Sequence, residues 1–369
     1  MGLRVLLLAV VLAVAGAVLP ATPAAAVPVA TAPPVVTGDP TYDEVLVAGV
    51  GSWTPTPTAY AYQWRRDGAP IAGATERRYR LGLDDLGTRV AVTVTATDAS
   101  GSAAATSAAT SPVARATIRH RTRPAVVGTL RFGRTVRADI GRWSVRPTRV
   151  RYQWLRDGRP IKGETRRRHA VSPRDVGHRL RVRVTVRAPG HDWATATSRA
   201  RGRVAHRVDV RRTVTYDVET RGRITASLRT FRRLVQQTYD DPRGWRGAGV
   251  RFRRVQDGGR FTVVLAEASR VPAFSSVCSV QWSCRVGRYV VINQTRWQHA
   301  SPAWNDARGS LRDYRHMVVN HETGHWLGFG HAGCPGRGRP APVMMQQSKG
   351  LGGCRFNPFP TGSELARAR

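Results

Sequence analysis

Two segments of the chain alternate apolar and polar residues with a period of two. Residues 90–96 (Val-Ala-Val-Thr-Val-Thr-Ala) and residues 180–186 (Leu-Arg-Val-Arg-Val-Thr-Val) each predict a strand with one buried face. From about Val208 the pattern changes to mixed periods. Residues 214–218, 250–252, 261–265 and 289–292 read as strands, whereas Leu228, Phe231, Leu234 and Val235 recur at helical spacing within 224–239. A second helical stripe runs through Tyr314, Met317, Val318, His321 and His325, and Ser310-Leu311-Arg312-Asp313 before it fits a capping box. The pattern therefore predicts a multidomain chain with all-β segments followed by an α+β domain.

The two alternating segments belong to a duplication. Tyr62-Gln63-Trp64-Arg65-Arg66-Asp67-Gly68 returns as Tyr152-Gln153-Trp154-Leu155-Arg156-Asp157-Gly158, and Trp53, Gly73, Asp85 and Gly87 return as Trp143, Gly163, Asp175 and Gly177, each offset by 90 residues. A unit this long is a domain and not a solenoid repeat. The Asp-Gly pairs predict hairpin turns, and Trp64 and Trp154 stand where a sandwich core places a large aromatic residue. The pattern Y-Q-W-x-R-D-G-x-P-I resembles the immunoglobulin-like modules of bacterial surface and secreted proteins. That resemblance implies two immunoglobulin-like sandwiches, at 27–114 and 115–205. Neither copy holds a cysteine, so packing alone must join the sheets.

Charge separates the copies. The net charge of the whole chain is +35. Residues 27–114 carry six basic and eight acidic residues, net −2; residues 115–205 carry 25 and five, net +20; residues 206–369 carry 27 and 11, net +16. Lys162 and Lys349 are the only lysines. Such an excess of arginine favours anionic partners, with cell-envelope polymers the candidates. No helix-turn-helix, RNA-binding or zinc-finger pattern points to a specific nucleic acid.

The first residues are charged (Arg4), then apolar from 5 to 19, then small at Ala24-Ala25-Ala26. This is the order of a secretory signal peptide, expected to end at residue 26, and no later stretch is long and apolar enough to span a bilayer. The chain is therefore expected outside the cell or on its envelope. Four cysteines suit that compartment. Of three possible connectivities, Cys278–Cys284 and Cys334–Cys354 are favoured because they are sequence-local, and no CxxC spacing suggests metal ligation.

The chemistry is concentrated in His321-Glu322-Thr323-Gly324-His325-Trp326-Leu327-Gly328-Phe329-Gly330-His331. Histidines four apart share one helical face and can hold one metal ion. Gly328 permits a sharp exit from the helix, and His331 then returns as a third ligand. Three protein ligands leave a position open for water, the arrangement of a catalytic zinc, and Glu322 stands beside it as a general base. The stretch reads H-E-x-x-H-x-x-G-x-x-H and resembles the metzincin metallopeptidases. Pro342-Val343-Met344-Met345 resembles their Met-turn, with Met344 favoured by position and Met345 the alternative.

The resemblance covers roughly 208–350 within a domain at 206–369, and extends to a family of exported actinobacterial proteins. It implies one catalytic Zn2+, a peptide or protein substrate, and a secreted endopeptidase behind two spacer or attachment modules. The alternative from another class is a surface-binding protein that uses its basic repeat and carries a structural or inactive zinc domain. Little chain follows the Met-turn, so the Cys334–Cys354 loop is expected to stand where other metzincins place a long C-terminal helix.

Overall fold

The computed structural model describes Met1 and residues 26–369; the expected signal peptide lies largely outside the described residues. The protein is multidomain and mostly β-sheet. It divides into two compact units, Met1–Arg119 with Val145–Arg149 and Arg187–Ala194, and His120–Ser144 with Val150–Val186 and Thr195–Arg369. Among the described residues, no helix is long and apolar enough to cross a membrane.

The first repeat is a sandwich. A three-stranded sheet (Val35–Thr37, Val45–Gly49, Arg78–Arg80) faces a four-stranded one built around Ala59–Arg66 and Val90–Asp98. Leu46 and Ala48 from one sheet meet Trp64, Val90, Val92 and Val94 from the other in a single core. Trp64 is wholly buried, and its Nε1 donates to the Glu76 carbonyl at 2.8 Å, which satisfies the one polar atom the indole carries inward. Asp67 and Gly68 both take positive φ at the hairpin, as a type I′ turn requires.

The second repeat reproduces this frame. Trp154 is again wholly buried, with Nε1 donating to the Arg166 carbonyl at 2.9 Å. Its strand Leu180–Arg187 alternates strictly, and Arg181 and Arg183 point to solvent. The added charge thus sits on outward positions of a shared core. One inward position also differs. In the first repeat, the Tyr79 hydroxyl donates to buried Asp85 at 2.9 Å. In the second, buried His169 occupies the equivalent place, with Nε2 3.0 Å from Asp175 and Nδ1 2.9 Å from Glu164.

The C-terminal region is built on a five-stranded sheet in the order Val250–Arg254, Arg212–Arg221, Phe261–Ala266, Tyr289–Asn293, Cys284–Val286. The first four strands are parallel and the last is an antiparallel edge. The central strand Phe261–Ala266 is buried at every position, as an apolar run covered on both faces must be. Val263 and Leu265 face the main core with the helices, while Val264 and Ala266 face Val271 and Cys278 on the other side.

Two helices cover the first face, Leu228–Asp240 and Leu311–Trp326, and they pack on each other. The first begins at Leu228, four residues later than the apolar spacing suggests, because Ser227 caps it by accepting from Thr230 N. Thr238 joins His316 across the pair at 2.8 Å, and the Tyr239 hydroxyl joins Thr323 at 2.9 Å.

Both sequence-local disulfides, Cys278–Cys284 and Cys334–Cys354, are present. A short helix, Gly362–Arg367, follows the Cys334–Cys354 loop. Thr361 and Glu364 form its capping box, and Leu365 enters the main core.

Candidate metal centre

The helix Leu311–Trp326 supplies the first two histidines. Ser310 caps it by accepting from Asp313 N at 3.0 Å. At its other end Phe329 N reaches back to the Gly324 carbonyl at 3.0 Å, and Gly328 sits at φ +95°, the left-handed conformation that glycine adopts without a Cβ penalty. The chain then turns so that His331 faces the helix it has just left.

Three imidazoles converge. His325 Nε2 lies 3.1 Å from His321 Nε2 and 3.2 Å from His331 Nε2, and the ligand atoms of all three lie within 4.8 Å of one another. The tautomers decide what this means. His321 Nδ1 donates to the Val343 carbonyl at 2.8 Å, and His325 Nδ1 donates to the Phe329 carbonyl at 2.8 Å. A carbonyl accepts only, so both Nδ1 atoms carry the proton and both Nε2 atoms present lone pairs. Two lone pairs cannot bond each other; a cation between them satisfies both. Two nitrogens bound at about 2.0–2.1 Å to one tetrahedral ion stand about 3.3–3.4 Å apart, close to the separations found.

Electrostatics keep these imidazoles neutral. Burial pushes His321 down to about 3, with His325 and His331 acting in the same direction. Burial also lowers His325 and His331, helped by the cations Arg285 and Lys349 respectively. A neutral ring is the form that ligates metal. Glu322, one residue from the first ligand, is buried, and that burial raises its carboxyl to about 8.

Met344 lies beneath the helix. It is 1% exposed and packs against Gly324 of the helix, whereas Met345 is half-buried. A Cβ on Gly324 would overlap Met344 Sδ and stand 2.9 Å from Trp245 Cζ2; glycine is needed there for close approach. Glu364 fixes the same turn, accepting from Val343 N at 3.1 Å and Met344 N at 2.9 Å. Since the Val343 carbonyl in turn accepts from His321, Glu364 orients a candidate ligand through two linked contacts. Glu364 is absent from the site residues expected from sequence, although Thr361-Gly362-Ser363-Glu364 is a legible capping box.

Neighbouring polar side chains are engaged elsewhere. His316 pairs with Thr238, and Tyr289 lies on the sheet. Tyr314 is buried and pairs with Ser348 at 3.0 Å. A cleft of about 520 Å³ opens over His321, Glu322, His325 and His331. The Cys278–Cys284 loop, the edge strand and residues 346–349 form its walls, with Met317, Val318 and Phe329 as its apolar lining.

Residues 189–360 match a protein family described as "Protein of unknown function (DUF3152)", a span that contains the three histidines, Glu322 and Met344. No curated protein matches the chain. Among solved structures, the chain is similar to three N-terminal domains of the bacteriophage RB49 highly immunogenic outer capsid protein, at 13% identity and TM-score 0.24 over 51% of this chain and 65% of that one. It is also similar to titin domains Z1Z2 in complex with telethonin, at 18% identity and TM-score 0.21 over 46% and 93%. The tandem Ig repeats of Dlar are similar at 14% identity and TM-score 0.13, over 46% of this chain and 96% of that one.

Proposed function

We propose that the C-terminal domain is a secreted zinc-dependent endopeptidase of the metzincin type. The observation that carries this reading is the convergence of three Nε2 atoms, two of them lone pairs because both Nδ1 protons of the helix histidines are committed to carbonyls, beside a buried carboxyl at Glu322. A closed structural site takes four protein ligands and has no use for a base. Bound there, zinc supplies a Lewis acid and a water acidic enough to ionise near neutral pH.

The remaining steps belong to the chain. His321, His325 and His331 hold the ion, and the hydrogen bonds on Nδ1 fix the first two rings. With a dication beside it to offset the burial that raises its carboxyl, Glu322 would accept a proton from the attacking water and deliver it to the leaving amine. The strand Cys284–Val286 forms one edge of the sheet and a wall of the cleft, so an extended peptide pairs along it and lays its scissile bond over the histidines. The disulfides support an oxidising, extracellular setting, and the repeats act as a spacer or an attachment to the envelope.

The test compares wild type with Glu322→Gln on a denatured-protein mixture in the presence of zinc. Removal of the base is expected to slow cleavage by about 10²–10⁴-fold while zinc content stays the same. Equal cleavage by both would refute the mechanism. Zinc binding without cleavage by either would favour the surface-binding alternative.

A further inference from the structure

The sheet has a second edge, far from the histidines in strand order. There, the helix Leu228–Asp240 and the strand Val250–Arg254 flank a groove of about 880 Å³. Arg229, Arg232 and Arg233 enter it from the helix, at the i, i+3, i+4 spacing that makes one face. Arg251, Arg253 and Arg254 line it from the edge strand. All six are exposed. Among the described residues none of them has an ion-pair partner within 4.0 Å. Asp240 is the one acid in the lining, and its side chain already accepts from Gln236 at 3.1 Å.

Six guanidinium groups against one carboxylate leave a large excess of positive charge, which an anion that neutralises several at once would offset. We propose that this groove binds a linear phosphate-bearing polymer through its phosphates. Arginine presents a planar fork that takes phosphate oxygens in pairs. The lining also says what is not recognised. Its only apolar member, Phe252, is 2% exposed. The groove therefore offers no pocket for a peptide side chain and no exposed aromatic face on which a base stacks. What remains is charge at repeated intervals, the mode that reads a polymer backbone without sequence. Because this edge and the edge strand Cys284–Val286 lie at opposite ends of the strand order, a polymer held here leaves the cleft free. The inference does not depend on hydrolysis or on a bound metal.

The test must separate this groove from the general basicity of a chain of net charge +35. Full-length protein is titrated against fluorescently labelled inorganic polyphosphate over a range of salt concentrations. The double variant Arg232→Gln/Arg253→Gln is compared with Arg166→Gln/Arg168→Gln, which removes the same charge from exposed positions of the second repeat. The groove variant is expected to weaken binding at least tenfold and to flatten the slope of log K against log salt by about 1.4–1.8, from two contacts at 0.7–0.9 each. The control is expected to change binding less than threefold. A further pair, Arg232→Lys/Arg253→Lys, keeps the charge and is expected to lose part of the affinity, which separates fork geometry from folding. Equal loss in the groove variant and the control would overturn the proposal. So would binding of polyglutamate of matched charge as tightly as polyphosphate.

Discussion

At the residue scale, the candidate site is a chain of dependencies that begins outside the histidines. Glu364 accepts from the backbone of Val343 and Met344, the Val343 carbonyl accepts from His321 Nδ1, and His321 thereby presents a lone pair to the site. Glu364→Gln keeps the shape and removes the charge. It is expected to cost about 1–3 kcal/mol, the range for weakening a buried charge-assisted network, and about 10–100-fold in zinc affinity. Chemical unfolding of the metal-free protein measures the first and competition with a chelator the second. An unchanged zinc affinity would show that His321 needs no such support.

At the element scale, one helix and the loop after it set all three imidazoles, and a disulfide pins the chain beyond them. Cys334–Cys354 closes the segment between His331 and the terminal helix, over a sequence separation of 20 residues. Replacing both cysteines by serine frees a loop whose closure is worth about 3 kcal/mol in the chain-entropy account. Thermal unfolding of the metal-free double variant is expected to show that loss, with Met344 and His331 less well ordered in hydrogen exchange. An unchanged midpoint would mean that Glu364 and the Leu365 contact hold the turn alone.

This is also the scale at which sequence and structure divide. The spacing of His321, His325, Gly328 and His331 was legible because helical geometry is local; Met344 lies much further along the chain and reaches Gly324 only through tertiary packing. The order of the sheet was not legible. Apolar runs such as 261–265 show that a strand is buried, but not which strands lie beside it. The arginine groove was hidden for the same reason, since the helix Leu228–Asp240 and the strand Val250–Arg254 come to line it only through the parallel pairing of that strand with Arg212–Arg221. Gly324 falls at a position the motif leaves open, and its role shows only in the packing of Met344 and Trp245 against it.

At the scale of the whole molecule, two copies of one frame respond differently to pH. In the second repeat Asp175 is held well below the usual carboxylate range. Its burial is opposed by His169, Ser172 and Arg156. His169 is raised above the ordinary imidazole value, because bonds to Asp175 and Glu164 outweigh its burial. The raised His169 adds stability below its unfolded pKa of about 6.5, which is lost as pH rises through the folded value. The depressed Asp175 adds stability above its unfolded value of about 3.9, which is lost as pH falls through the folded one. The cluster therefore stabilises most at mildly acidic pH. Hydrogen-exchange protection of Leu180–Arg187, relative to Val90–Asp98 in the first repeat, is expected to decline as pH rises above the unfolded imidazole value of about 6.5. His169→Tyr, which installs the residue of the first repeat, is expected to remove that decline. A decline of equal size in the variant would place its origin elsewhere.

The most direct measurement is a zinc titration of metal-free protein in which bound metal and peptide cleavage are followed together. Cleavage is expected to rise in proportion to bound zinc and to stop rising at one equivalent. His331→Ala is expected to bind weakly and cleave little, and Glu322→Gln to bind one equivalent without cleaving. Stoichiometric zinc binding by the wild type with no hydrolysis, or binding that His331→Ala leaves intact, would contradict the assignment of these residues to a catalytic metal centre.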